Sequence, residues 1–595
     1  MAEESSSFST QARGALLALQ ALAALLLAAW WLPQHAAWHD GGVLFADYVL
    51  LAGWLVLAGG AWARASLRGI GWGTLLLGPL VLICFHLGAL ASSDLVISFM
   101  AIPYFVGACL LWALLVARPQ VWESAARPPW ANSLWVLASG ALVGAVVVGV
   151  RAWTQGHYIW PEDKTSLTML LLPRRDGGAS DIFGMPFKQW GAVAPAVAVA
   201  LATLGLVLWR RALKPGQLLM GLFVLALLGK LAFAGLCTQG YGIVPWKIQS
   251  VNNNFYKLSS LVDDQGVYGF LSSFNAKQAG MGFHADTHPP LPILIYWALK
   301  HLSFSTPWVV ALAVMSLSAL ALWPLYWMGE ALAGAELGVG MAALFATSPM
   351  CLILGNSGAD SMALTLIAFA SWRLVKAAKS GGGQDAVLAG ALLAAASMLS
   401  FASNASLVFL GTLGLLLVWR RQPAWWPFLA GSIGLWGAFL TGMAAVHGLV
   451  WAASGFHFSY QTAIGTARFL HSQANQFRPY ELWNWANAVL YAGYAGAGLV
   501  GLWAWQQARS LFGVDTRDLS APVGGAFVLT MVFAAYGRAE VQRQFLFGLV
   551  FLLPSAAAAL PRHSDGRLQS APLAWALALN LLTVGLLQAY ILDYW

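Results

Sequence analysis

The chain has 595 residues, of which 59% are hydrophobic and only 9% charged, with 31 Lys and Arg against 23 Asp and Glu. So few charges cannot coat soluble domains of this length, in which about a quarter of residues are charged. The mean hydropathy of +0.69 leaves an all-α polytopic membrane protein, and the net charge of +8 reads as an orientation signal in short loops, not as a nucleic-acid surface.

Seventeen apolar stretches long enough to cross a bilayer follow in chain order. The first seven run near 14–32, 43–62, 69–91, 95–117, 130–152, 191–209 and 217–237. Ten more lie near 308–328, 335–353, 361–377, 385–400, 404–419, 425–450, 484–506, 520–536, 543–560 and 571–592. The first resembles a signal peptide, with Arg13 before an apolar run, but Trp30, Trp31 and Pro33 are poor cleavage-site residues, so an uncleaved span is expected. The cysteines (Cys84, Cys109, Cys237, Cys351) sit in apolar segments without paired spacing, which supports neither a disulfide framework nor a metal knuckle. Thirty-one Trp suit a protein with many interfacial belt positions.

One set of alternating loops, from Arg13 through Arg210, Arg211, Arg373, Lys376, Arg420 and Arg421 to Arg567, holds about 17 basic residues in roughly 80. The other set holds about 13 in roughly 175. The first set is therefore expected to be cytoplasmic, with the N-terminus inside and the C-terminus outside. The expected location is a cell membrane, the inner or plasma membrane of a bacterium, crossed many times. The outer side then carries the long polar connections 153–190, 238–307 and 451–483, and His35, His39, His157, His284, His288, His457 and His471 with them. Long loops in a compact membrane protein are commonly functional, so chemistry is expected on the outer face.

The connection 238–307 is the most informative. Asp263 and Asp264 sit in a turn-like VDDQG, and His284, Asp286, Thr287 and His288 run into Pro289-Pro290-Leu291-Pro292. Proline is tolerated in the first helical turn, so the pattern predicts a short amphipathic helix from Leu291 to about Leu302. Asp286 and His288 would stand at its N-terminus, where backbone N–H groups can hold an anion.

An acidic residue in the first large outer loop, followed by Thr287-His288-Pro289-Pro290-Leu291-Pro292, resembles the GT-C glycosyltransferase superfamily, in particular bacterial members related to protein O-mannosyltransferases and lipid A aminoarabinose transferases. Two more stretches fit. GNSGADSMA carries Asp360 where the superfamily places a second acidic residue, and GRAEVQRQFLF, with Arg538 and Arg543, is similar to an R-G-E-x-E-R-x-W-L-F run. The likeness covers roughly 217–560, leaving 1–216 as a six-span region outside the common core and 561–595 as a C-terminal span. It departs at Asn252, Asn253 and Asn254, where many members carry their first-loop aspartate, and at Ala539 and Gln542, where Gly and Glu are expected.

The resemblance implies an inverting hexosyl or pentosyl transferase in cell-envelope glycan biosynthesis. Its donor would be a polyprenyl-phosphate sugar, and its acceptor an extracytoplasmic glycan, lipid or protein. Such a reaction needs a base, for which Asp263, Asp264, Asp286 and Asp360 are candidates, and a counter-charge for the leaving phosphate. Lys247, Arg478, Tyr480, Arg538 and Arg543, with Thr287 and His288, are the expected substrate contacts. A divalent cation, Mg²⁺ or Mn²⁺ and less readily Zn²⁺, could be held by Asp360, Asp286 and His288.

Each residue also has a structural alternative. Asp360 could cap a helix starting at Ser361; Asp263 and Asp264 could be a solvated turn; Asp286 could neutralise His288 or the helix dipole. Arg478-Pro479-Tyr480 could anchor the interface, and Glu540 could clasp Arg538 or Arg543. Lys230 lies inside the seventh stretch, where a Lys costs about 2.5–3.5 kcal/mol on insertion scales. It is either functional, with Asp47 as a candidate partner, or snorkels outwards. Two other functions compete with transfer: a transporter or flippase of a lipid-linked saccharide, and a non-catalytic GT-C relative. The polar residues collect in outer loops, without the matching halves of a secondary transporter, which favours the enzyme.

Overall fold

The computed structural model describes residues 190–237, 240–250, 254–282, 285–302, 306–356, 358–458, 491–511, 520–521, 523–525, 527–528 and 545–590. The described residues contain helices and no strand. Among the described residues seven helices are long and apolar enough to cross a membrane: Gly191–Leu208, Pro215–Ala234, Pro307–Ala333, Ala359–Ser380, Phe401–Arg421, Trp425–Ser454 and Ser570–Gln588. The first five expected stretches and most of 520–536 lie outside the described residues.

In chain order the helices are α1 (Trp190–Leu208), α2 (Pro215–Ala234), α3 (Ile243–Gln249), α4 (Phe255–Leu258), α5 (Ser260–Lys277), α6 (Leu291–Leu302), α7 (Pro307–Ala319), α8 (Leu322–Ala333) and α9 (Ala335–Thr347). There follow α10 (Pro349–Leu352), α11 (Ala359–Ser380), α12 (Gly383–Ser397), α13 (Ser406–Arg421), α14 (Trp425–Ser454), α15 (Ala497–Leu511), α16 (Leu549–Ala558) and α17 (Ser570–Tyr590). The described residues fall into two compact units. The larger holds 190–414, 430–505 and 520 onwards; the smaller holds 415–429 and 506–511.

Proline and glycine decide where these helices begin and end. α2 and α7 each open on a proline, whose missing N–H would be unpaired in a first turn anyway. The expected stretch 335–353 breaks because Pro349 forces Ser348 into extended backbone (ψ 143°). Ser348 Oγ then accepts the Cys351 N–H at 3.2 Å and starts α10. α11 stops at Gly381, whose φ of 80° is left-handed, and α12 turns back against it. α12 crosses α14 with backbones in close approach: a Cβ on Gly390 would lie 1.8 Å from the Phe439 carbonyl oxygen, and one on Gly442 1.9 Å from that of Val387. Small residues at such crossings are how membrane helices gain packing without help from water.

Opposite charges cluster at the turn end of the α11–α12 hairpin, where Asp385 meets Arg373 at 2.6 Å and Lys376 at 3.2 Å. The other end of the hairpin, formed by the start of α11 and the finish of α12, carries Asp360 and accepts a bond from Leu291.

Candidate functional site

The segment between α2 and α7 folds into short helices. α6 covers Leu291–Leu302, the range its proline-rich start predicts, and buries Pro292, Ile293 and Tyr296. Asp263 lies in the first turn of α5 with Asp264 just after it, and the chain breaks three and two residues later at Gly266 (φ 68°, ψ 163°). The turn-like VDDQG is thus a helical turn followed by a glycine kink.

Asp263 is already engaged. Its Oδ1 accepts from Trp297 Nε1 at 2.7 Å and lies 2.8 Å from His301 Nε2, and Lys300 Nζ stands 3.8 Å from Oδ2. Positions 297, 300 and 301 share one face of α6, so Asp263 clasps α5 to α6. The hydrogen bonds from His301 and Trp297 hold its carboxyl below the usual aspartate value, which weakens it as a base. Asp264 is exposed to solvent.

Asp286 differs in kind. It is 9% exposed, and its Oδ1 is buried with no hydrogen-bond partner. Burial pushes its carboxyl above the usual value, against the opposing effect of the Gly282 and Met281 backbone. A second orphan oxygen belongs to the same turn. The Asn254 amide donates to the carbonyls of Met281 (3.0 Å) and Gly282 (2.9 Å), which leaves Asn254 Oδ1 buried and unpartnered. Gly282 makes the turn possible, with φ at 85°. Two buried acceptors without donors are costly unless something supplies a hydrogen or a cation.

His288 is fixed nearby. Its ring meets Phe255 edge-on with centroids 5.4 Å apart, its Nδ1 is 3.2 Å from Thr287 Oγ1, and its carbonyl accepts from Gln278 Nε2 at 3.1 Å. Asn254 and Phe255, at the start of α4, therefore hold this part of the chain at Met281, Gly282 and His288. Sequence reasoning missed them by treating Asn252–Asn254 only as a departure from an acidic pattern. The run of amides in an outer loop was the available signal.

Among the described residues the segment is tied to the helices by a backbone bond from Leu291 N–H to the Met398 carbonyl at 3.2 Å and by the Asn275 amide, which donates to the His457 carbonyl at 2.8 Å. Met398 ends α12, at the same end of the hairpin as the first turn of α11, where Asp360 sits 8% exposed. The helix begins at Ala359 with Gly358 as its cap residue, so Asp360 is inside the first turn and is not the cap of a helix starting at Ser361. Its charge there is favoured by the helix dipole. Lys247 is buried in α3, at 3% exposure. His284, Arg478, Tyr480, Arg538, Arg543 and Asp47 lie outside the described residues.

Among the described residues no three His, Cys, Asp or Glu side chains come together as a metal site. The two orphan acceptors, Asp286 Oδ1 and Asn254 Oδ1, are both oxygen. That suits a hard cation such as Mg²⁺ or Mn²⁺ better than Zn²⁺. No protein-family model matches the chain, and a search of curated proteins finds no match.

Proposed function

We propose that the chain is an integral-membrane glycosyltransferase moving a sugar from a polyprenyl-phosphate donor to an extracytoplasmic acceptor, across the face where α6 and the start of α11 meet the α11–α12 hairpin. The observation that carries the reading is the orphan Oδ1 of Asp286, a buried carboxylate oxygen with no protein partner at the mouth of a membrane-surface helix. The GT-C resemblance of the Thr287–Pro292 run supports it. The proposal keeps the seventeen-span topology, the cytoplasmic N-terminus and the outward-facing site.

In this reading the acceptor hydroxyl donates to Asp286, which takes its proton as the acceptor oxygen bonds to the sugar's anomeric carbon. The bond from that carbon to the phosphate oxygen breaks on the opposite face, and the electron pair leaves with the phosphate. Configuration is inverted. Burial holds the Asp286 carboxyl above the ordinary aspartate value, which makes its carboxylate a better proton acceptor. Asn254 Oδ1 would help hold a divalent cation, which would supply charge neutralisation for the phosphate. His288 and Thr287 border the site, and Arg538 and Arg543 are proposed phosphate partners.

The test is incubation of the purified protein with a panel of radiolabelled polyprenyl-phosphate sugars and membrane extract. Label should pass to an acceptor from at least one donor. With Asp286→Asn transfer should fall about 10²–10⁴-fold, the usual worth of a general base, at unchanged abundance. Transfer by Asp286→Asn at the wild-type rate would remove the proposed base, and no transfer from any donor would remove the function.

A further inference from the structure

A lysine is sealed beneath the start of α11. Lys230, in the last turns of α2, is 0% exposed, so it does not snorkel to the interface. Its ammonium has three hydrogens to give, and three acceptors surround it: the carbonyls of Met315 (3.1 Å) and Gly355 (2.8 Å), and Ser318 Oγ. Ser318 Oγ lies 2.7 Å from the Gly355 carbonyl and 2.9 Å from that of Met315, and its single hydrogen can serve only one of them at a time. The contact is as close as a backbone allows. A Cβ on Gly355 would fall 2.5 Å from Lys230 Nζ.

Gly355 belongs to the short turn Leu354–Asn356 that leads into α11, five residues before Asp360. Five residues beyond Asp360, Thr365 Oγ1 donates to the Leu317 carbonyl at 2.9 Å and lies 3.2 Å from that of Ser318. The same stretch of α7, Met315–Ser318, thus grips the chain on both sides of Asp360. The grip before Asp360 runs through Lys230 and through Ser318 Oγ, which can donate directly to the Gly355 carbonyl; the grip after it does not involve Lys230.

We propose that Lys230 is a positioning residue for Asp360, acting through the Gly355 carbonyl. It fixes the approach to α11 so that the Asp360 carboxylate stands at the site. The kinetic part of this proposal rests on the glycosyl-transfer reading; the positional part does not.

Three variants test it: Lys230→Met, Gly355→Ala and their combination, with Ser318→Ala as a fourth. Lys230→Met removes the donor, while Gly355→Ala keeps the lysine and pushes the ammonium off the carbonyl. Each should speed amide hydrogen exchange across 354–361 in nanodiscs. Each should lower kcat about 10²-fold, the scale of an ångström-sized misplacement, with donor KM unchanged. Because both single changes break one contact, the double variant should lose no more than the worse single one. Ser318→Ala leaves both carbonyl bonds and should have the smallest effect. Wild-type exchange across 354–361 in Lys230→Met overturns the proposal, and so do losses that add up in the double variant. If Lys230→Met is not recovered folded, Gly355→Ala and Ser318→Ala carry the comparison. If the wild-type protein transfers no sugar from any donor, the glycosyl-transfer reading fails, and exchange alone decides the role of Lys230.

Discussion

Two aspartates in one loop have opposite surroundings, and pH separates them. Asp286 is buried with one carboxylate oxygen unpartnered, while Asp263 is held by an indole, an imidazole and an ammonium. If Asp286 is the base, kcat/KM should rise with pH through a midpoint above the ordinary aspartate value of 3.8. A pH profile with its midpoint at or below that value would exclude it. The stability contributions have opposite signs. The raised pKa of Asp286 favours the folded state below its unfolded pKa, and that gain is lost as pH rises through the folded value. The lowered pKa of Asp263 favours the folded state above its unfolded pKa, and that gain is lost as pH falls through the folded value. Asp263→Asn should therefore slow transfer far less than Asp286→Asn, and a comparison of the two rates at pH 7 checks it. The sequence placed all four carboxylates in candidate positions but could not rank them. The partners that occupy Asp263 come from a helix more than thirty residues downstream, and Asn254 reaches Asp286 only through the turn at Gly282.

At the scale of helices, the proline signals were the legible part. Pro289, Pro290 and Pro292 fix the start of α6, and the predicted Leu291–Leu302 range is the one observed. Pro349 was equally visible, yet the stretch 335–353 reads as one apolar run, and hydropathy alone does not register a backbone break. The glycines hide another layer, because their role depends on a neighbour that periodicity does not name. Gly390→Ala would put a methyl group 1.8 Å from the Phe439 carbonyl oxygen and should destabilise the protein by roughly 1–3 kcal/mol. Gly448→Ala meets nothing within 4 Å and is the control. Thermal unfolding in a fixed detergent should separate the two, and equal melting temperatures would remove the close α12–α14 crossing. The α5–α6 clasp has its own test. Trp297→Phe keeps the ring and deletes the donor to Asp263, so exchange should quicken in α5 while α11 stays protected.

For the whole molecule, the composition alone led to a helical membrane protein, and the described residues hold seven helices of spanning length. The proposed sidedness rests on the distribution of basic residues, and it has a direct check. Periplasm-active reporters fused after Gly177, Gly280, Gln473 and Trp595 should be active, and those after Arg211, Gly382 and Gly566 inactive. Activity at Gly382 would turn the α11–α12 hairpin over and put Asp360 on the cytoplasmic face.

The bond from Leu291 to Met398 also sets an order of events during synthesis. Its partners are 107 residues apart (398 minus 291), and a ribosome adding about 5–20 residues per second needs roughly 5–20 s to cover that distance. Throughout that interval the start of α6 lacks its bond to the α11–α12 hairpin. The anchor of α6 is therefore completed only once Met398 has been made. A nascent chain arrested before Met398 should show α6 open to protease, and one arrested well beyond it should show α6 protected.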